Sequence, residues 1–183
     1  QNTIWLATQN EGIIGIHGNT RTKLDTTTGL PTNETFTISE DKKGTLWIGL
    51  ANGISAYHDG QITDYTLHPA IQDKTFFSSL TDHSGAIWMG STTGDLIQIL
   101  PNGQIKAIAL PAAYQKDFIG GIAEDNLHYL WLATDHGLLK YGRENFTAYT
   151  EQQGLPANAV QAVAVDNENN IWAGTLNGGA VQF

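Results

Sequence analysis

The sequence predicts an all-β fold, a β-propeller of four-stranded antiparallel blades, and three observations predict it. Trp5, Trp47, Trp88, Trp131 and Trp172 are the five tryptophans of the 183-residue chain and stand 42, 41, 43 and 41 residues apart. A period of that length marks solenoids, propellers or arrays. Two residues after each Trp stands a small residue: Ala7, Gly49, Gly90, Ala133 or Gly174. Positions i and i+2 share a face of a strand, so each indole is expected to lie over that small neighbour. Within each period, short runs of alternating apolar and polar residues are divided by turn residues, and no helical periodicity intervenes.

The second repeat shows the plan in order. Glu34-Thr35-Phe36-Thr37-Ile38-Ser39 alternates as a strand, Asp41-Lys42-Lys43-Gly44 turns, and 45–50 forms the Trp strand. Ala51-Asn52-Gly53 turns again into 54–58, and Asp59-Gly60 is a strong hairpin signal before 61–66. The remaining repeats follow this plan. Asp41, Asp82, Asp125 and Asp166 each precede Trp by six residues, and three residues after them come Gly44, Gly85, His128 and Asn169. These are residue types enriched at positive φ, as a tight hairpin requires. Pro31, Pro69, Pro111 and Pro156 fall in the segments leading into each first strand, where no ladder hydrogen bond is lost.

With the Trp strand counted as second in its blade, the chain starts at a second strand (2–8) and ends in a third (178–183). Complete blades are expected near 34–66, 75–109 and 118–150, with partial blades over 1–25 and 158–183. That is about four and a half blades, and the edges they would leave exposed point to part of a larger propeller of seven blades, with a self-contained four- or five-bladed ring as the lesser alternative; unpaired edges also suggest association.

Composition narrows the partners. Nine basic against eighteen acidic residues give a net charge of −9, and Arg21 and Arg143 are the arginines. Nucleic acid, which demands a basic patch, is excluded. No apolar run is long enough to span a bilayer, so no direct membrane insertion is expected. No signal peptide opens the chain, and any targeting signal is expected to lie outside these residues. There is no cysteine, hence no disulfide, thiolate ligand or thiol nucleophile. No phosphate-binding loop or nucleophile elbow occurs, and no cofactor is expected.

The five tryptophans read as a structural repeat core rather than as sugar-stacking platforms. The four turn aspartates read as turn stabilisers; each stands alone, whereas calcium needs several converging oxygens. Asp41-x-x-Gly44-x-x-Trp47 also resembles the Asp-box of sialidases, but two arginines are fewer than those enzymes use to hold a substrate carboxylate. The histidines at 17, 58, 68, 83, 128 and 136 show no metal-site spacing on one element. No metal site is expected, and the pair His83 and His128 falls in equivalent turns of adjacent blades. The sharper signal is where the repeat breaks its rule. Gly-Leu-Pro-x-Asn stands at 29–33 and 154–158, but 67–74 and 110–117 are rewritten. Loops on a rigid scaffold carry binding groups, so the candidate ligand-binding residues are Gln72, Asp73, Lys74, Tyr114, Lys116 and Asp117. Tyr114 would supply a stacking face and the others hydrogen bonds.

The segment from Gly154-Leu155-Pro156-Ala157-Asn158 through Asp166-Asn167-Glu168-Asn169-Asn170-Ile171-Trp172-Ala173-Gly174-Thr175 resembles the two-component regulator propeller repeat. Gly29-Leu30-Pro31-Thr32-Asn33 to Trp47-Ile48-Gly49 is similar to a second copy, and the repeats around Trp88 and Trp131 to degenerate ones. The resemblance implies an exported propeller of a membrane receptor, followed elsewhere by an immunoglobulin-like domain, a transmembrane helix and a kinase or cyclase output. It implies extracytoplasmic sensing, in Bacteroidetes-type members commonly of oligosaccharides, with neighbouring receptor domains or a homodimer as protein partners. The expected role is thus a non-enzymatic periplasmic or extracellular sensor module binding a small molecule or oligosaccharide. Two other readings stay open: a propeller lyase or hydrolase, since streptogramin-type lyases have a somewhat similar repeat, and a protein-interaction scaffold.

Overall fold

The structure is a computed structural model and describes residues 3–183. Asn2, assigned from the sequence to the first strand, lies outside the described residues. Five antiparallel sheets follow one another along the chain. Blade 1 holds β1 (Ile4–Thr8), β2 (Gly12–His17) and β3 (Thr20–Leu24). Blade 2 holds β4 (Thr35–Glu40), β5 (Leu46–Leu50), β6 (Gly53–His58) and β7 (Gln61–Asp64). Blade 3 holds β8 (Phe76–Thr81), β9 (Ile87–Ser91), β10 (Leu96–Ile99) and β11 (Ile105–Ile108). Blade 4 holds β12 (Ile119–Glu124), β13 (Leu130–Thr134), β14 (Gly137–Gly142) and β15 (Asn145–Tyr149), and blade 5 holds β16 (Val160–Val165), β17 (Ile171–Thr175) and β18 (Gly179–Gln182). Every strand pairs only with its sequence neighbours, the topology of propeller blades. Two short 3-10 turns, Ala112–Tyr114 and Glu151–Gln153, are the helical elements among the described residues. No helix among them is long and apolar enough to cross a membrane.

The six-residue offset between Asp and Trp has a physical meaning. Asp41 Oδ1 accepts from the backbone N–H groups of Lys43 (2.8 Å) and Thr45 (2.9 Å), while Oδ2 accepts from the indole N–H of Trp47 (3.2 Å). The indoles of Trp88, Trp131 and Trp172 donate likewise to Asp82 (2.8 Å), Asp125 (2.9 Å) and Asp166 (2.8 Å). One carboxylate therefore closes the turn and orients the ring. The left-handed residue of each turn is Gly44, Gly85, His128 or Asn169, with φ of 81°, 89°, 64° and 67°.

At Asp41, Asp82 and Asp166 these bonds favour the ionised carboxylate. The Trp172 indole and the Asn170 side chain hold Asp166 down at about 2, against an ordinary value of 3.8. Burial pushes the carboxyls of Asp41 and Asp82 upward, but donors from the backbone, Trp and Ser outweigh it and both end lowered. A carboxyl with a lowered folded pKa stabilises fully above its unfolded value and ceases to do so as pH falls through the folded one. Acid unfolding is therefore expected to set in as pH drops from about 4 toward 2, and Asp82→Asn should flatten that dependence while lowering stability at neutral pH. Superimposable acid-unfolding curves, followed by circular dichroism, would show that the turn carboxylates do not contribute.

The core lies between blades. Trp47 packs with Ile87, Met89, Ile97 and Ile99 of blade 3, Trp88 with Leu130, Leu132 and Leu139 of blade 4, and Trp131 with Ile171 and Ala173 of blade 5. Those three indoles are 6, 4 and 5 % exposed, whereas Trp172, with no blade against its outer face here, is 41 % exposed. The small residue after each Trp has a different role from the one expected. A Cβ on Gly49 would lie 2.6 Å from the Phe76 carbonyl oxygen, and one on Gly90 2.5 Å from Ile119 Cγ2. The missing side chain admits the first strand of the next blade, not the indole. Where an indole does lie over glycine, the glycine is its cross-strand partner: a Cβ on Gly15, paired with Trp5, would sit 2.5 Å from that ring.

Candidate functional site

The first strands of successive blades meet at the propeller axis. Thr37 and Ser79 hydroxyls are 2.6 Å apart, and Ser78 Oγ donates to the Ile119 carbonyl at 2.7 Å. Each first strand carries a bulge at one place. The register skips from Thr35 to Thr37, Phe76 to Ser78, Ile119 to Gly121 and Val160 to Ala162. A bulge leaves one residue unpaired and re-aims its side chain. Here the freed residues are Phe36, Phe77, Gly120 and Gln161, each eleven positions before its Trp.

Phe36 and Phe77 stand with ring centroids 5.8 Å apart. In blade 4 the position is Gly120, and Phe118 takes the space instead: a Cβ on Gly120 would lie 3.1 Å from the Phe118 ring. Phe118 then meets Phe77 edge-to-face at 4.9 Å. Three aromatic rings from three blades thus form a row, and its middle member Phe77 is 42 % exposed. The row lies at the ends of the first strands where the rewritten loops arrive.

The structure divides the six candidate residues of those loops. Lys74 is committed within blade 3, donating to the Ala70 carbonyl (3.1 Å) and pairing with Asp95 (2.8 Å) in the turn after β9. Tyr114 is 8 % exposed and packs with Leu110 and Leu130, so it does not offer the stacking face expected of it. Burial, reinforced by Asp117, raises its phenol above the ordinary range. Asp117 is 3 % exposed; it accepts from the His136 backbone N–H (3.1 Å) and lies 2.8 Å from His136 Nδ1, closing the turn after β13. That hydrogen bond raises the His136 imidazole above its usual value. Gln72, Asp73 and Lys116 remain, exposed and making no side-chain hydrogen bond or ion pair found among the described residues.

The turn at Ser91–Asp95 joins the two loops. Lys74 holds Asp95 from one side, and a Cβ on Gly94 would lie 2.5 Å from Gln115 C and 2.8 Å from Lys116 N. A cleft of about 290 Å³, lined by Gly94, Asp95, Leu96, Leu110 and Gln115, opens beside them. On the opposite face a cleft of about 330 Å³ between blades 2 and 3 contains Trp47, Tyr65, His58 and Asn102, but Lys43 Nζ crosses to the Pro101 carbonyl at 2.7 Å. The axial rim offers an apolar aromatic strip, and the loops that lead into β8 and β12 carry the exposed Gln72, Asp73 and Lys116. Sequence reasoning passed over the strip, although the constant eleven-residue offset of Phe36 and Phe77 from Trp was there to be read.

The two component regulator propeller repeat matches residues 29–52 and 154–177. No curated protein sequence matches the chain. Among solved structures, the extracellular domain of B. thetaiotaomicron BT4673, described as a one component or hybrid two component system, is 26 % identical with a TM-score of 0.84, over 100 % of this chain and 26 % of that one. The extracellular domain of BT3049, described as a hybrid two component system of the same organism, is 20 % identical (TM-score 0.77), covering 99 % of this chain and 27 % of that one. Virginiamycin B lyase from Staphylococcus aureus is 19 % identical (TM-score 0.76), covering 99 % of this chain and 66 % of that one. The last two likenesses concern the fold alone. The chain spans about a quarter of the length of the B. thetaiotaomicron domains it matches. Blades in Trp register, two matches to the repeat and whole-chain likeness to the extracellular domain of BT4673 agree: this chain is a β-propeller that carries two copies of the two component regulator propeller repeat.

Proposed function

We propose that the chain is part of the extracytoplasmic ligand-sensing propeller of a bacterial membrane signalling receptor, and that it binds an oligosaccharide at the axial rim without turning it over. The observation that carries the signalling role is the 26 % identity, over the whole chain, to the extracellular domain of BT4673. The ligand class rests on chemistry. The row of Phe36, Phe77 and Phe118 presents flat apolar surface of the kind that the C–H faces of sugar rings cover. Gln72, Asp73 and Lys116 supply donors and acceptors for hydroxyls, and their charges cancel. With a net charge of −9, a neutral ligand is favoured over a polyanion. Signalling then requires that the ligand bind one arrangement of propeller and neighbouring domain better than another.

Isothermal titration against a panel of neutral oligosaccharides tests this reading. Phe77→Ala and Lys116→Ala should each weaken binding about tenfold, which corresponds to ~1.4 kcal/mol. The thermal midpoint should stay nearly unchanged in Lys116→Ala, whose side chain is exposed, and fall modestly in Phe77→Ala, which loses its packing on Phe36 and Phe118. Affinity unaffected by Phe77→Ala would remove the rim as the site. Product formation from any glycan would replace the sensor reading with an enzymatic one. Tyr114→Ala and Asp117→Ala are poor probes, since their burial makes them tests of folding.

A further inference from the structure

On the face that bears the Asp turns, two blades bring together a donor set that no single strand displays. His83 lies in the turn of blade 3, Glu124 ends β12 and His128 lies in the turn of blade 4. Glu124 Oε1 is 2.5 Å from His83 Nδ1 and 3.5 Å from His128 Nδ1. The two imidazoles stack with centroids 3.5 Å apart and planes 20° from parallel. One potential ligand atom from each of the three residues falls within 4.8 Å of the others.

We propose that His83, Glu124 and His128 form a site for a divalent ion of the zinc class, which clamps blade 3 to blade 4. Two imidazole nitrogens and one carboxylate oxygen make a mixed nitrogen–oxygen set that suits Zn²⁺ and its first-row neighbours. Calcium and magnesium, which want oxygen ligands throughout, are disfavoured. Three protein ligands leave a fourth position for water. Access is open, because the imidazoles are about half exposed (50 and 53 %) while the carboxylate is only 13 % exposed. The ion would replace the direct contact between Glu124 and the His83 imidazole.

Two further observations support a site rather than a chance meeting. Glu124 is already oriented, since its Oε2 accepts from the His83 backbone N–H at 2.8 Å. Lys42 Nζ donates to the His83 carbonyl at 2.6 Å, tying that turn to blade 2 as well. Metal ligands held by such secondary bonds are set before the ion arrives. The repeat also provides its own comparison. At the junction of blades 2 and 3, the equivalent positions are Lys42, Thr81 and Gly85; at that of blades 4 and 5 they are Asn126, Val165 and Asn169. Those junctions are stitched differently: a Cβ on Gly85 would touch the Lys42 chain at 2.9 Å, and the Asn126 backbone N–H donates to Asn169 Oδ1 at 2.7 Å. One junction has exchanged both arrangements for two imidazoles and a carboxylate. His128 does so in a left-handed conformation that Gly44 and Gly85 fill in blades 2 and 3.

The test uses the untagged chain, freed of metal by chelator. Titration with Zn²⁺ should show saturable binding of one equivalent and a raised thermal midpoint, and Co²⁺ should give a visible ligand-field band. His83→Ala, His128→Ala and Glu124→Gln should each weaken Zn²⁺ binding at least about tenfold and abolish the band, with near-ultraviolet circular dichroism unchanged. Since both histidines are at exposed turns and Glu124 is the last residue of its strand, a folded variant is expected; should one fail to fold, the Co²⁺ spectrum of the native chain still reports imidazole ligation. Absence of saturable binding, or binding that persists in His83→Ala and His128→Ala, would overturn the proposal. Neither result bears on oligosaccharide binding, which is read on the opposite face.

Discussion

Trp88→Ala is expected to destabilise the protein by about 3–5 kcal/mol, the range for truncating a large buried aromatic, whereas Trp172→Ala should cost roughly 1–2 kcal/mol in line with its partial burial. The two tryptophans share sequence context, strand position and the hydrogen bond to Asp six residues earlier. They differ in what lies beyond them. Trp88 is sealed by Leu130, Leu132 and Leu139 of the following blade, while Trp172 keeps 41 % of its surface exposed. Truncating Trp88 would also leave Asp82 without its indole donor, although the backbone donors of Ser84 and Ala86 remain. Urea unfolding of the two variants measures the difference. Equal losses would mean that the indole acts within its own blade and not as the joint between blades.

Gly49→Ala should cost about 1–3 kcal/mol by overpacking, and Gly174→Ala should be neutral or stabilising by up to about 1 kcal/mol, through lower entropy of the unfolded chain. Neither glycine needs a left-handed backbone, so the contrast isolates space. A Cβ at Gly49 would meet the Phe76 carbonyl oxygen at 2.6 Å and Phe76 Cβ at 3.1 Å. Backbone of the next blade would have to move. At Gly174 the nearest atoms are Ala162 Cβ at 3.8 Å and its carbonyl oxygen at 3.9 Å, ordinary contact distances. Thermal unfolding should shift in opposite directions for the two variants. A destabilised Gly174→Ala protein would show that the position matters to its own sheet rather than to the approach of a following one.

The sequence was most legible where chemistry is local. Four strands per period, the Asp turns and the left-handed position after them depend on residues within about ten of one another, and composition and spacing expose such dependences directly. The bulges were harder to see, because a bulge is a relation between two strands and only their register reveals the unpaired residue. Phe36 and Phe77 thus looked like ordinary alternating strand residues until the register freed them. Tyr114 and Asp117 misled for the opposite reason: a loop that departs from the repeat looks free, yet its aromatic ring and carboxylate fill the space between Leu110 and Leu130 and close the turn at His136. A variable loop still has to satisfy its own polar groups and cover the core beneath it.

The amino-acid order alone determined the period, the strand plan of each blade and the two copies of the regulator propeller repeat, because each is written in spacings along one chain. Tertiary structure decided which side chains meet across blades. Residues some 41–45 positions apart come together at Phe36 with Phe77, Phe77 with Phe118, and His83 with Glu124 and His128. The angle and separation of neighbouring blades set those encounters, through the packing of Trp47, Trp88 and Trp131 on the blade that follows. A repeat states what each blade is; the sites lie where one blade differs from the next, and that difference acquires chemistry only when packing fixes the distance between them.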